Sequence, residues 1–172
     1  VTMFPALIPN DHVLANVSDV YNGILVRGDV VGDTLYYGQG AGQDATASAV
    51  LSDIGDAVLD LAHGTTERMK AFNSHEANGA VQPIDEVTSC YYLRLTVLDR
   101  SGVLAKVSTI LAKNKIGISS VIQPEGHEGK SGPLIFMLHY AKTAAMKQAL
   151  KAISKLAAVK AKPVIIRVEN FE

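Results

Sequence analysis

An α+β protein of two units is predicted, and three features of the sequence predict it. Its 172 residues are 48% hydrophobic and 19% charged, the balance of a chain with a core and unlike that of disordered, collagen-like or coiled-coil sequences. Charge divides sharply: residues 1–88 hold three basic and twelve acidic side chains, a net −9, whereas residues 89–172 sum to +8. Hydrophobic patterning divides at the same place, with short β-branched runs and one helix before it and a regular alternation of strand and helix after it.

Residues 1–13 contain Pro5 and Pro9 and read as an irregular or extended lead-in. Val20–Tyr21, Ile24–Val26, Val30–Val31 and Leu35–Tyr37 follow, separated by Gly23, Gly28–Asp29 and Gly32–Asp33, a pattern that predicts an antiparallel meander with tight turns. The run Gly38-Gln39-Gly40-Ala41-Gly42 then leads into a helix opening at Thr46, with Val50, Leu51, Ile54, Val58 and Leu61 along one face. Gly64 ends that helix, and the polar residues 64–88, with Pro83, read as a linker.

The second unit has the order βαββαβ. Tyr91–Leu98 is a strand, and Asp99-Arg100-Ser101-Gly102 turns it into a helix with Val103, Leu104, Val107, Ile110 and Leu111 on one face. Ile118–Gln123 and Pro133–Tyr140 are strands joined by a charged, glycine-rich loop. A helix from Thr143 buries Met146, Ala149, Leu150, Ile153 and Leu156, and Pro163–Val168 is the last strand. Two right-handed crossovers place both helices on one side of a four-stranded antiparallel sheet. The opposite face is left for something else to cover. Leu93, Leu95 and Val97 alternate with Tyr92, Arg94, Thr96 and Leu98, so one face is strongly apolar and the other mixed, and exposed strand edges favour pairing with a second copy.

Several chemistries are excluded or weak. The single Cys90 removes disulfide frameworks and thiolate metal clusters and fits a reducing, cytoplasmic setting. No run approaches the ~18 apolar residues of a membrane span, and no basic, then apolar, signal segment opens the chain. The five histidines stand singly, Asp56 and Asp60 lie on the polar side of their helix, and Ser101 sits in no nucleophile elbow, so neither a metal nor a catalytic apparatus is expected. Lys147, Lys151 and Lys155 recur every four residues as a solvated helix face does, which disfavours nucleic acid as the partner of the basic half.

Two turns carry possible binding chemistry. Glycines between a strand and a helix let backbone approach a ligand, and the helix N-terminus favours an anion or polar head group; tight helix–strand packing explains the same glycines. The spacing Gly-x-Gly-x-Gly also departs from the dinucleotide fingerprint. In the second unit, Gly102 opens a helix, so the N–H groups of Gly102, Val103 and Leu104 point outward while Asp99 can receive an ammonium, a combination suited to an amino-acid zwitterion. An ordinary N-cap by Asp99 or Ser101 is the other reading, and the two can coexist.

These residues match known families. Residues 91–168, with Asp-Arg-Ser-Gly-Val-Leu-Ala at 99–105, resemble an ACT domain, a ferredoxin-like βαββαβ module that binds an amino acid between paired copies. Residues 4–62 resemble the end of the catalytic region of homoserine dehydrogenase. Phe-Pro-Ala-Leu-Ile-Pro at 4–9, His12, Leu14-Ala15-Asn16-Val17, Tyr21-Asn22, Tyr37-Gly38-Gln39-Gly40-Ala41-Gly42 and Thr46-Ala47-Ser48-Ala49-Val50 with Asp53 carry that likeness. Three positions depart from it: Val13 and Gly23, where proline and alanine are usual, and Asp44-Ala45, where a proline commonly precedes the threonine.

The resemblance implies the remnant of a catalytic and dimerisation region over 1–63, a linker over 64–88 and an ACT regulatory domain over 89–172. It implies an NAD(P) cofactor lying against Gly42, a loop shaped by Gly40 and Ala41, and a helix returning from Thr46 to a nucleotide-binding domain. It also implies that the Rossmann half and the catalytic lysine and acidic residues lie upstream, so that this chain alone is inactive. The expected role is a C-terminal segment that senses an amino acid, threonine first, through Asp99, Ser101, Gly102, Val103 and Leu104, in a homo-oligomer paired through the ACT module. The alternative is an ACT module that serves oligomerisation alone.

Overall fold

The computed structural model describes residues 3–65, 82–124 and 129–171. They fall into two units, one of residues 10–80 and one combining residues 1–9 with 81–172.

In the first of these units, His12 caps a short 3-10 turn, Val13–Asn16, by accepting the Leu14 N–H on Nδ1 at 3.2 Å. Strands β2 (Tyr21–Gly28) and β3 (Gly32–Gln39) then pair antiparallel. The predicted meander is thus a single hairpin. Val30 and Val31, 89% and 79% exposed, occupy its loop and not a strand. Two residues between glycine-rich turns cannot extend a ladder, and Gly32, at φ +73°, supplies the left-handed residue that closes the loop. Tyr21 and Tyr37 stack across the pair with ring centroids 5.0 Å apart. Arg27 and Asp33 face each other across the register, Nε to Oδ1 at 2.8 Å and Nη2 to Oδ2 at 3.1 Å.

Helix α1 runs Gln43–His63, three residues longer at its start than the apolar periodicity indicates. The first turn needs no buried face, and Asp44 suits the positive end of the helix, so the helix extends to Gly42 without an apolar signal. Gly64, at φ +64°, closes it as predicted. Val50, Leu51, Ile54, Val58 and Leu61 are all at least half exposed, and no described residue between 10 and 65 is buried. Most of the predicted linker, residues 66–81, lies outside the described residues. Its last part forms a 3-10 turn, Ile84–Glu86.

The other unit contains β1 (Ala6–Leu7), β4 (Thr88–Leu98), α2 (Val103–Lys113), β5 (Ile118–Ile122), β6 (Ser131–Lys142), α3 (Thr143–Ile153) and β7 (Val164–Val168). The sheet order is β1-β7-β4-β6-β5. Without β1 this is the βαββαβ arrangement read from the sequence, antiparallel throughout. The lead-in residues supply the fifth strand: β1 pairs parallel to β7, Ala6 opposite Arg167 and Leu7 opposite Val168.

Alternation along β4 decides the core. Tyr91, Leu93, Leu95 and Val97 are at most 3% exposed and meet Leu134, Phe136 and Leu138 of β6, with Val107 and Leu111 of α2 and Met146, Ala149 and Ile153 of α3. Both helices therefore cover the same face of the sheet, as two right-handed crossovers require. The Tyr91 hydroxyl donates to Thr143 Oγ1 at 3.0 Å, and the Thr143 hydroxyl passes its own hydrogen to the Val87 carbonyl at 3.0 Å. This relay satisfies two polar groups in a buried position and ties the start of β4 to the start of α3.

Two predictions follow from this geometry. Hydrogen bonding from Arg27 holds the Asp33 carboxyl below its ordinary value against an opposing desolvation, and the attraction of the Arg27 charge adds to the lowering. A lowered folded pKa means that the contribution is complete above the unfolded carboxyl value, about 3.9, and is lost as pH falls through the folded one. Hydrogen exchange should therefore show hairpin amides better protected in the wild type than in Asp33→Asn at about pH 6, with the difference shrinking as pH falls through the folded carboxyl value. Gly102 stands at φ +81° between β4 and α2, where an added methyl would meet no atom within 4 Å. Gly102→Ala should cost about 1–2 kcal/mol by urea unfolding through backbone strain alone, whereas Gly132→Ala, equally unobstructed but free of positive φ, should not.

Candidate functional site

The turn after β4 brings all five predicted binding residues together. Asp99, Ser101, Gly102, Val103 and Leu104 line one cavity of about 230 Å³, joined by Arg100 and Gln123. Neither Asp99 nor Ser101 caps α2, because the left-handed Gly102 occupies the cap position and makes no side-chain bond. Asp99 instead accepts the Gln123 Nε2–H on Oδ1 at 3.2 Å. Its backbone is fixed from both sides: its N–H donates to the Lys130 carbonyl at 2.8 Å, and its carbonyl accepts the Gly129 N–H at 2.9 Å.

The three outward amides expected from the sequence are not equivalent. Val103 N–H donates to the Arg100 carbonyl at 3.3 Å, closing the turn, and Lys106 N–H bonds back to the Gly102 carbonyl at 3.1 Å. Leu104 and Ala105 are left as the first-turn donors without a helical acceptor. Val103 is 7% exposed, so its side chain belongs to the core, whereas Leu104 is 41% exposed. A carboxylate held by Gln123 beside these donors can receive an ammonium while the helix start receives a carboxylate.

Gln123, Gly129 and Lys130 were not among the residues picked from the sequence. The signal was present in the topology. When the first strand of a βαββαβ unit pairs with the third, the hairpin loop between the second and third strands arrives beside the end of the first. Leu98 opposite Ser131 is that register.

In the other unit, the glycine run has separate local causes. Gly40 packs against Asn22 so closely that a Cβ would meet its Nδ2 at 1.5 Å. Its N–H donates to the Val20 carbonyl at 3.1 Å. Gly42 has φ +123° with no atom within 4 Å of a Cβ position, and Gly38 is equally open. Thr46 does not open α1; its N–H already bonds the Gly42 carbonyl at 3.1 Å. The unpartnered amides of this helix start are therefore those of Gln43, Asp44 and Ala45, beside the Asp44 carboxylate. An uncharged polar group suits that end better than a phosphate does.

Comparison with known proteins extends this picture over the whole chain. The homoserine dehydrogenase family profile matches residues 1–54. Homoserine dehydrogenase of Pseudomonas aeruginosa is 40% identical over 97% of this chain, and that of Helicobacter pylori 39% over 96%, matches that span 39% and 38% of those proteins. The crystal structure of a homoserine dehydrogenase from Thiobacillus denitrificans, 37% identical, superposes on 98% of this chain and 38% of its own with a TM-score of 0.87. No helix among the described residues is long and apolar enough to cross a membrane. In sequence and in fold, this chain corresponds along almost its entire length to a segment of homoserine dehydrogenase, a little over a third of the proteins it matches.

Proposed function

We propose that the chain is the C-terminal, regulatory part of a homoserine dehydrogenase, its ACT module sensing an end-product amino acid, threonine first. In this reading residues 1–63 complete the catalytic and dimerisation region, 64–88 connect, and 89–172 form the ACT domain. The parent reaction is reversible hydride transfer between NAD(P)H and aspartate 4-semialdehyde, giving homoserine. The nicotinamide group supplies or accepts the hydride when bound. In this chain Gly40, Ala41 and Gly42 would border it through backbone, with Thr46 in the turn behind them; the open surface at Gly42 fits that use, and Asp44 directs the loop to an uncharged part of the cofactor. The lysine and acidic residues that handle the proton and amino group are assigned to the upstream part, so this chain alone should not turn substrate over.

The observation that carries the sensing role is the cavity at the end of β4. There the Asp99 carboxylate and the amides at the start of α2 face one ligand-sized space. Asp99 would take the ammonium, the Leu104 and Ala105 amides the carboxylate, and Ser101 and Gln123 the side-chain hydroxyl of threonine. The β5 edge, where Val121 and Ile122 are 38% and 54% exposed, supports pairing with a second copy across the sheet edge. A ligand that prefers one arrangement of paired modules would bias the catalytic part, typically by about 1–3 kcal/mol of coupling.

Calorimetry on this chain with threonine, isoleucine and methionine should give saturable heat with threonine. Asp99→Asn should weaken it by about tenfold or more, since the charge partner for the ammonium is lost. Self-association with no heat from any of the three would leave assembly as the function of the module and remove the sensing role.

A further inference from the structure

A second cavity lies in the same unit, on the side of the sheet edge where the lead-in residues pack. It measures about 460 Å³, and Phe4, Pro5, Ile84, Met146, Leu150 and Ile165 give it a largely apolar lining. That size falls within the range of small-molecule sites, about 300–1,000 Å³. The turn Asp99–Leu104 contributes nothing to it.

The polar groups of this cavity are few and share one sign of charge. Arg167 is sandwiched into its wall, with the guanidinium 4.2 Å from the centre of the Phe4 ring. Its Nη2 reaches Thr143 Oγ1 at 3.4 Å, a long bond to a neutral oxygen. Its Nη1 is buried and has no hydrogen-bond partner among the described residues. No carboxylate among the described residues pairs with the guanidinium; the nearby Asp85 is engaged by Lys147, the second cation of the lining. A buried guanidinium nitrogen with no acceptor is an unusual condition, because its N–H groups have been taken from water without a hydrogen bond in return.

Three features together define what would relieve it. The unpaired nitrogen calls for an anionic oxygen, and a planar fork suits a carboxylate. The walls call for an apolar body. An ammonium is disfavoured, since the lining already holds two cations and the Thr143 oxygen already accepts from Tyr91 and Arg167. We propose that this cavity binds a small monocarboxylate with an apolar body and no ammonium, such as a branched-chain 2-oxo acid, its carboxylate on Arg167. Such a site would distinguish an amino acid from its oxo acid, the reverse of the preference argued for the turn at Asp99.

Titration calorimetry on the 172-residue chain with 4-methyl-2-oxopentanoate and with leucine tests this directly, because the two share an apolar body and differ at the ammonium. The oxo acid should bind, and leucine should bind at least about tenfold more weakly. Arg167→Gln should reduce oxo-acid affinity by a similar factor while leaving threonine heat unchanged. Should that variant fold poorly, Ile84→Trp serves in its place: Ile84 is 43% exposed at the rim, so the indole would fill the cavity and block binding without touching Arg167. Absence of oxo-acid heat, equal affinity for leucine, or unaltered binding in a folded Arg167→Gln protein would each overturn the assignment.

Discussion

Burial of alternate residues along β4 is the constraint on which the second unit rests. Because Leu93, Leu95 and Val97 must all face α2 and α3, the strand cannot slip by one position without turning its apolar set to the other face. Fixing that register fixes where the strand ends. Leu98 sits opposite Ser131, so Asp99 meets Lys130 and Gly129 on one side and Gln123 on the other, and the left-handed Gly102 starts α2 directly beyond. The candidate amino-acid site is thus built from the end of a rigid central strand and a helix start, an arrangement that orders its groups before any ligand arrives.

Two of the cavities of this unit show how one fold can present opposite chemistries. At the turn, a carboxylate stands beside unpartnered helix amides, which favours a zwitterion. At the other, an arginine and a lysine share apolar walls and offer no negative charge among the described residues. Tyr91 and Thr143 separate the roles further. Their hydroxyl relay to Val87 is satisfied internally, so these groups stabilise the junction of β4 and α3 and leave the guanidinium as the polar feature in need of a partner.

Much of this was legible in the sequence where one period dominated. The alternation from Tyr91 to Leu98 and the helical spacing of Met146, Ala149 and Ile153 gave the βαββαβ order, and Gly64 marked the end of α1. Legibility failed where geometry is set by distant pairing. Val30–Val31 looked like strand residues because β-branching is a local signal, whereas their place in a loop depends on the Arg27–Asp33 register. The start of α1 at Gln43 carries no apolar mark. Arg167 read only as one basic residue in the last strand; its burial comes from Phe4, 163 positions earlier, which β1 brings alongside β7. The glycine run is ambiguous in sequence between ligand approach and tight packing, and Asn22 against Gly40 supplies a packing reason that spacing alone does not carry.

The exposed apolar faces of α1 and of the hairpin contrast with the closed core of the other unit, and they accord with a chain that matches only part of larger relatives. The regulatory account depends on one site, and amide chemical shifts recorded during addition of threonine examine it residue by residue. The account predicts saturable shifts at Asp99, Gly102, Leu104, Ala105 and the Gln123 side-chain amide, with the signals around Arg167 unmoved. Saturable shifts confined to other residues, or none at millimolar threonine, would contradict it.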